Sequence, residues 1–160
     1  MIGPKKKQIK IVFYHPEIPG NTGSIGRTCV AMGFRLVLIK PYGFKIDEKS
    51  VRRAGLDYWK YVELSEYETF DEFLNTESPN EKDLFFFSRF ADKIYFNATF
   101  TSNSYLIFGA ETTGLEDNIT KDWSNRCYKL PTYSDKIRSL NLANTATAVC
   151  FEAVRQTKFL

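Results

Sequence analysis

The longest unbroken apolar runs in the chain are four residues long, among them 11–14, 36–39 and 84–87. A membrane-spanning helix needs about 20 such residues, whereas runs of this length suit buried strands. Strands are predicted at 9–14, 35–40, 58–62, 84–87, 105–108 and, more weakly, 127–130. Helical patterns lie between them. Ile25, Cys29 and Met32 recur at helical intervals over 22–32, and Gly33 stands where a left-handed C-terminal residue belongs. A short helix closed by Gly55 is read at 47–54. Ser65 with Glu68 reads as a capping box opening a helix that carries Tyr67, Phe70, Phe73 and Leu74 on one side. The longest helical pattern, 142–156, is alanine-rich on its packing face. Short apolar strands alternating with helices predict an α/β fold, a mostly parallel sheet flanked by helices.

At 160 residues and 43% hydrophobic content, a single domain is expected, with residues 1–8 as a basic arm. This composition excludes disordered and collagen-like classes. The arm lacks an apolar stretch behind its lysines, so it does not read as a signal peptide. Three widely spaced cysteines suggest neither a disulfide framework nor a zinc site, and a reducing cytoplasm is the expected location. The net charge is only +3, but its distribution is uneven. Basic residues gather at Lys5, Lys6, Lys7 and Lys10, at Lys49, Arg52, Arg53 and Lys60, and at Lys121, Arg126, Lys129, Lys136 and Arg138. Negative charge is concentrated between Glu63 and Asp83. The pattern is compatible with a polyanionic ligand and equally with solvated faces.

No G-x-G-x-x-G or P-loop signature is present; Gly20, Gly23 and Gly26 recur every third residue instead. The single histidine, His15, follows a strand in a proline-containing loop and reads as a satisfied or solvent-facing side chain. Three segments carry candidate chemistry. In 20–28, Asn21 and Thr22 sit at the mouth of a helix, where free N–H groups favour anions, with Arg27 about one and a half turns in. In 106–115, Gly109 permits close approach to a strand end, Gly114 permits positive φ, and Glu111 lies between them like a ligand-facing carboxylate. In 138–144, Ser139 and Asn141 precede the last helix, and a cap needs only one of them. Each segment, taken singly, is also explained by ordinary capping and turn formation. Together they fall at strand-to-helix junctions, where open α/β sheets bind ligands.

The order and wording of these segments resemble the SPOUT superfamily of RNA methyltransferases, and within it the small branch that methylates the wobble ribose of tRNA. The stretch 52–58, Arg-Arg-Ala-Gly-Leu-Asp-Tyr, resembles a segment typical of that branch, and the likeness runs from about residue 9 to 156. The resemblance implies a C-terminal deep trefoil knot holding S-adenosylmethionine, released as S-adenosylhomocysteine, with no metal. It implies cofactor contacts at Phe87, Gly109, Glu111, Gly114, Leu130, Ser139 and Leu140. Asn21, Arg27 and Asn141 would serve the reaction, and Arg27, Arg52, Arg53 and Arg138 would bind RNA. The expected partners are a tRNA anticodon loop and a second copy of the chain, with no membrane. Methylation at another tRNA or rRNA site, or a non-catalytic RNA-binding module, are the alternatives. Three positions depart from the branch: Phe151 replaces a frequent tyrosine, Thr113 a lysine or arginine, and Glu116 a proline.

Overall fold

The computed structural model describes residues 6–45 and 57–159. The helix expected at 47–54, and with it Arg52 and Arg53, lies outside the described residues. Seven parallel strands form one sheet: β1 (Lys10–Tyr14), β2 (Arg35–Ile39), β3 (Glu63–Tyr67), β4 (Leu84–Phe87), β5 (Lys93–Ile94), β6 (Tyr105–Phe108) and β7 (Cys127–Lys129). Their spatial order is β3-β2-β1-β6-β4-β7-β5. Beyond β1 the chain first builds outward through β2 and β3, then returns to build the other half. The loops after β1 and β6 therefore leave a topological switch point, where such sheets place ligands.

Alternate side chains of the strands feed two cores. One face carries Ile11, Phe13, Leu36, Leu38, Phe85 and Phe108. It is covered by helices α1 (Pro19–Met32) and, last in the chain, α4 (Leu142–Lys158). The other face carries Val12, Val37, Phe86 and Ile107, and is covered by α2 (Phe70–Glu77) and α3 (Asp117–Asp122). The small side chains of α4, namely Ala143, Ala146, Cys150 and Ala153, are buried in the protomer's own core. They allow α1 so close that the hydroxyls of Thr28 and Thr147 stand 3.3 Å apart. All three cysteines are free and buried, and no disulfide forms among the described residues.

Several local expectations shift. Helix α1 begins at Pro19, three residues earlier than its apolar spacing indicated, because proline's fixed φ suits the first helical turn. Gly33 closes it at φ 69°. The strand expected at 58–62 is a 3₁₀ turn, Trp59–Tyr61, and β3 follows it. Ser65 lies inside β3, where its hydroxyl accepts from Arg35 at 2.9 Å. The true cap is Thr69, whose Oγ1 accepts the Glu72 N–H at 3.0 Å. The Glu72 carboxylate reaches back to the Glu68 N–H at 2.6 Å, so the capping logic holds four residues later than expected. The short β5 and α3 carried no periodic signal.

One buried ion pair fastens the second core. Arg35 donates to both oxygens of Glu77 at 2.7 Å, and the Tyr105 hydroxyl donates to Glu77 Oε2 at 2.9 Å. The Tyr67 hydroxyl also donates to this carboxylate. Burial alone pushes the Glu77 carboxyl up, but the hydrogen bonds from Arg35, Tyr67 and Tyr105 override it and hold it at about 2. A carboxyl depressed in the folded state stabilises above its unfolded value of 4.5, and that contribution is lost as pH falls towards 2. Glu77→Gln should therefore cost on the order of 3 kcal/mol at pH 7, since it strands a mostly buried guanidinium. Urea unfolding should show the gap to wild type closing between pH 4.5 and about 2. A constant gap down to pH 3 would mean the pair contributes by packing alone.

Candidate active site

The three candidate segments converge at the carboxyl edge of the sheet, around Glu111. Its Oε2 accepts the Glu17 N–H at 2.7 Å, and its Oε1 accepts the Ile18 N–H at 3.1 Å and the Asn21 side-chain amide at 3.2 Å. Ile18 is the N-cap of α1 but offers no capping side chain, and Thr22 buries its hydroxyl without a partner among the described residues. The Glu111 carboxylate, 90 or more residues away in sequence, takes the place of a local cap. A negative charge at this end also complements the helix dipole. The anion expected at the mouth of α1 is thus supplied by the chain itself.

Glu17 returns the contact, accepting the N–H of Thr112 at 3.3 Å and its hydroxyl at 2.7 Å. The third segment joins through Asn141. Its amide donates to Asn21 Oδ1 at 3.0 Å, while its own Oδ1 caps α4 by accepting the Asn144 N–H at 3.1 Å. Arg138 donates to the Thr112 carbonyl at 3.3 Å. Ser139 and Leu140 are thereby bracketed between two anchored residues, and both are exposed. Nothing local in the sequence marks Glu17, a carboxylate whose partner lies 95 residues on.

Gly109 and Gly114 act together. A Cβ on Gly109 would lie 2.1 Å from the Gly114 carbonyl carbon and 2.2 Å from the Leu115 nitrogen. The close approach that Gly109 permits is made by this turn, which pairs Ala110 with Gly114 and sets Gly114 at φ 69°. Beside it, Phe87 stacks on Phe108 with ring centroids 4.7 Å apart. Leu130, at the end of β7, is half-buried. No group of acidic, histidine or cysteine side chains able to hold a metal occurs among the described residues.

Arg27 stands apart from this cluster. Six residues beyond Asn21, it lies about 9 Å further along α1, is exposed, and has its guanidinium 5.5 Å from the ring centre of Tyr58. The Tyr58 hydroxyl donates to the Gly23 carbonyl at 2.7 Å, and Trp59 covers Gly26 so closely that a Cβ there would lie 2.6 Å from its ring. Two of the three regularly spaced glycines therefore mark the face of α1 that receives this aromatic turn; Gly20 has open space around it. His15 ends β1 at φ 53°, stacked on Tyr14 with centroids 3.7 Å apart. Burial lowers its pKa, partly offset by the Glu116 charge. Glu116, the residue at the branch's proline position, acts on Tyr14, whose hydroxyl is pushed up by burial and by this carboxylate.

The sequence and the fold are similar to those of known proteins. Residues 8–151 match the model of the SpoU rRNA Methylase family. The tRNA (cytidine(34)-2′-O)-methyltransferase of Burkholderia cenocepacia is 39% identical over 93% of this chain and 96% of its own. A Listeria innocua protein, provisionally given the same name, is 43% identical over 93% of this chain and 88% of its own. Among solved structures, one concerned with 2′-OH methylation of C/U34 on tRNA superposes with a TM-score of 0.84 at 36% identity, covering 94% and 96% of the two chains. Matched over nearly its whole length by family and relatives alike, the chain belongs to the SpoU rRNA methylase family.

Proposed function

We propose that the protein transfers a methyl group from S-adenosylmethionine to the ribose 2′-hydroxyl of the wobble nucleotide, a cytidine or uridine at position 34, in tRNA. The observation that carries this reading is the relay Glu111–Asn21–Asn141, which binds all three motif segments into one unit at the sheet's carboxyl edge. Relatives at 36–43% identity named for this activity support it. The SpoU methyltransferase AviRb from Streptomyces viridochromogenes, 28% identical, was solved in complex with AdoMet, and it superposes at a TM-score of 0.80 over 97% of this chain and 62% of its own.

The residues at this edge fit a nucleoside cofactor. Leu130, just past β7, is half-buried and Leu140, just before α4, is 45% exposed, so both leave apolar surface uncovered. Backbone at Phe87, Gly109, Gly114 and Leu130 would hold the adenosine, with Ser139 and Leu140 closing over it. Glu111, whose oxygens are occupied by α1, serves this pocket by fixing its walls. Bound there, S-adenosylmethionine supplies a methyl group already activated by the sulfonium charge. The protein's own task is to orient the hydroxyl and stabilise the charge that develops on it. Arg27 suits phosphate clamping and stabilisation of that charge, because a guanidinium stays protonated. Asn21 and Asn141 hold the loops that align substrate and cofactor.

The SPOUT neighbours support a trefoil knot in the C-terminal part, with 131–141 as the covering segment pinned by Arg138 and Asn141. A homodimer is supported by Phe151, 52% exposed on α4 away from its buried alanine face, and by Ile18, 49% exposed at the entry to α1. No described helix is long and apolar enough to cross a membrane. We place the protein in the cytoplasm with its tRNA substrate.

Three measurements test this reading. Gly109→Ala should push away the Gly114–Leu115 turn and abolish cofactor binding in calorimetry, while unfolding stays cooperative; unchanged affinity would put the pocket elsewhere. Arg27→Ala should keep cofactor affinity but lose about 10²-fold or more in single-turnover methylation of tRNA, and a wild-type rate would remove Arg27 from the reaction. The logarithm of tRNA affinity should fall with log salt at a slope near −3 to −4, for about four to six phosphate contacts. Arg138→Ala, or Arg52→Ala with Arg53→Ala, should each flatten it by about 0.7 for every phosphate no longer held, whereas trimming Lys5 to Lys7 should change it little.

A further inference from the structure

The 3₁₀ turn beside Arg27 has an exposed side that the relay does not use. Trp59 is spent on covering Gly26, and Tyr58 on anchoring the turn to Gly23. Tyr61 does neither. It is 64% exposed, and the Lys60 ammonium lies 5.1 Å from its ring centre. The turn is closed by N–H···O bonds from Tyr61 to Tyr58 at 2.9 Å and from Val62 to Trp59 at 3.0 Å. In a 3₁₀ helix residues i and i+3 eclipse, with a rise of about 2 Å per residue. Tyr61 therefore projects on the same side as Tyr58, the ring that carries Arg27, about 6 Å along the axis.

We propose that Tyr61, flanked by Lys60 and Arg27, is a stacking ledge for one unpaired base of the RNA substrate. The inference rests on the RNA methyl-transfer reading and adds to it the contact that seats a nucleotide next to the reactive ribose. A single exposed aromatic residue is ordinary. Here, however, two rings of one short turn each have a cation beside them, Arg27 of α1 at Tyr58 and Lys60 at Tyr61, and the turn is fixed to the helix that bears Arg27. Single-stranded nucleic acid is recognised by just these elements: an aromatic face for the base and cations for the phosphates on either side. Because the turn is pinned to α1, the backbone that carries the ring is held in place before RNA arrives, which reduces the ordering cost of binding. The flanking positive charge opposes docking of a second copy's basic surface and favours a polyanion.

The test uses the full-length protein and an isolated tRNA anticodon stem-loop as probe, with binding followed by fluorescence anisotropy. Tyr61→Ala should weaken stem-loop binding roughly 5- to 150-fold, the effect of removing the platform under one stacked base. Tyr61→Phe should bind like wild type, since the ring and not the hydroxyl stacks. The salt slope of Tyr61→Ala should match wild type, whereas Lys60→Ala should flatten it by about 0.7. Cofactor affinity should be unchanged in all three variants. Wild-type stem-loop affinity in Tyr61→Ala, while wild type methylates the stem-loop, would overturn the ledge and leave the activity standing. A shift in oligomeric state on sedimentation, with RNA affinity per dimer unaltered, would assign Tyr61 to a protein interface instead. A wild-type protein that neither binds nor methylates the stem-loop would overturn both readings.

Discussion

The site depends on one carboxylate. Glu111 receives two backbone N–H groups and a side-chain amide from the start of α1, all within 3.2 Å. Hydrogen bonds to an ionised acceptor are roughly twice as strong as neutral ones, and here they also answer the open N-terminus of a helix. Without Glu111, the entry to α1 would have no cap, and the loop after β6 would hold the loop after β1 only through Thr112 and Glu17. Asn21 would lose one of its two partners, and with it the link that positions Asn141 and the start of α4. The convergence of the three segments is thus a consequence of how one helix is capped.

That arrangement requires the two halves of the sheet to meet. β1 and β6 are neighbours only because the chain leaves the centre through β2 and β3 and later inserts β6 beside β1. Small residues on α4 do the remaining work, letting it lie against α1 closely enough that Asn141 reaches Asn21 at 3.0 Å. A larger side chain at Ala146, which packs in the same cluster as Ile25 and Cys29, would wedge the helices apart, and overpacking of this kind typically costs about 1–3 kcal/mol in a core. Here it would also stretch the relay.

The strands and the long helices were legible in the sequence because burial on a parallel sheet writes itself as short apolar runs, as at Leu84–Phe87 and Tyr105–Phe108. Helix ends were less so. Ser65 and Glu68 have capping spacing, but Ser65 is taken into β3 by pairing with Val37 and by Arg35, and Thr69 inherits the cap. The aromatic content of 58–62 suggested a strand, whereas Trp59 folds back to fill the space left by Gly26. The candidate residues stood out through their motifs, and the close approach at Gly109 and the turn at Gly114 could be read locally. The partners of Glu111 could not, since they are long-range and polar and leave no periodic trace. For the same reason Glu17 and Tyr58 went unrecognised as fastenings of the site.

Arg27 and the relay are held at different points along a single helix. Asn21 sits in the first turn of α1 and is fixed from the sheet side by Glu111 and Asn141, while Arg27, about 9 Å on, is steadied from outside by Tyr58. In the proposed reaction a guanidinium, charged at every working pH, needs a fixed position relative to the reacting oxygen. An α-helix supplies that position only if both its ends are held. The carboxylate at the N-terminus and Gly33 at the C-terminus hold the ends, and the hydroxyl of Tyr58 on the Gly23 carbonyl holds the middle. The placement of Arg27 is therefore set by contacts that Arg27 does not itself make.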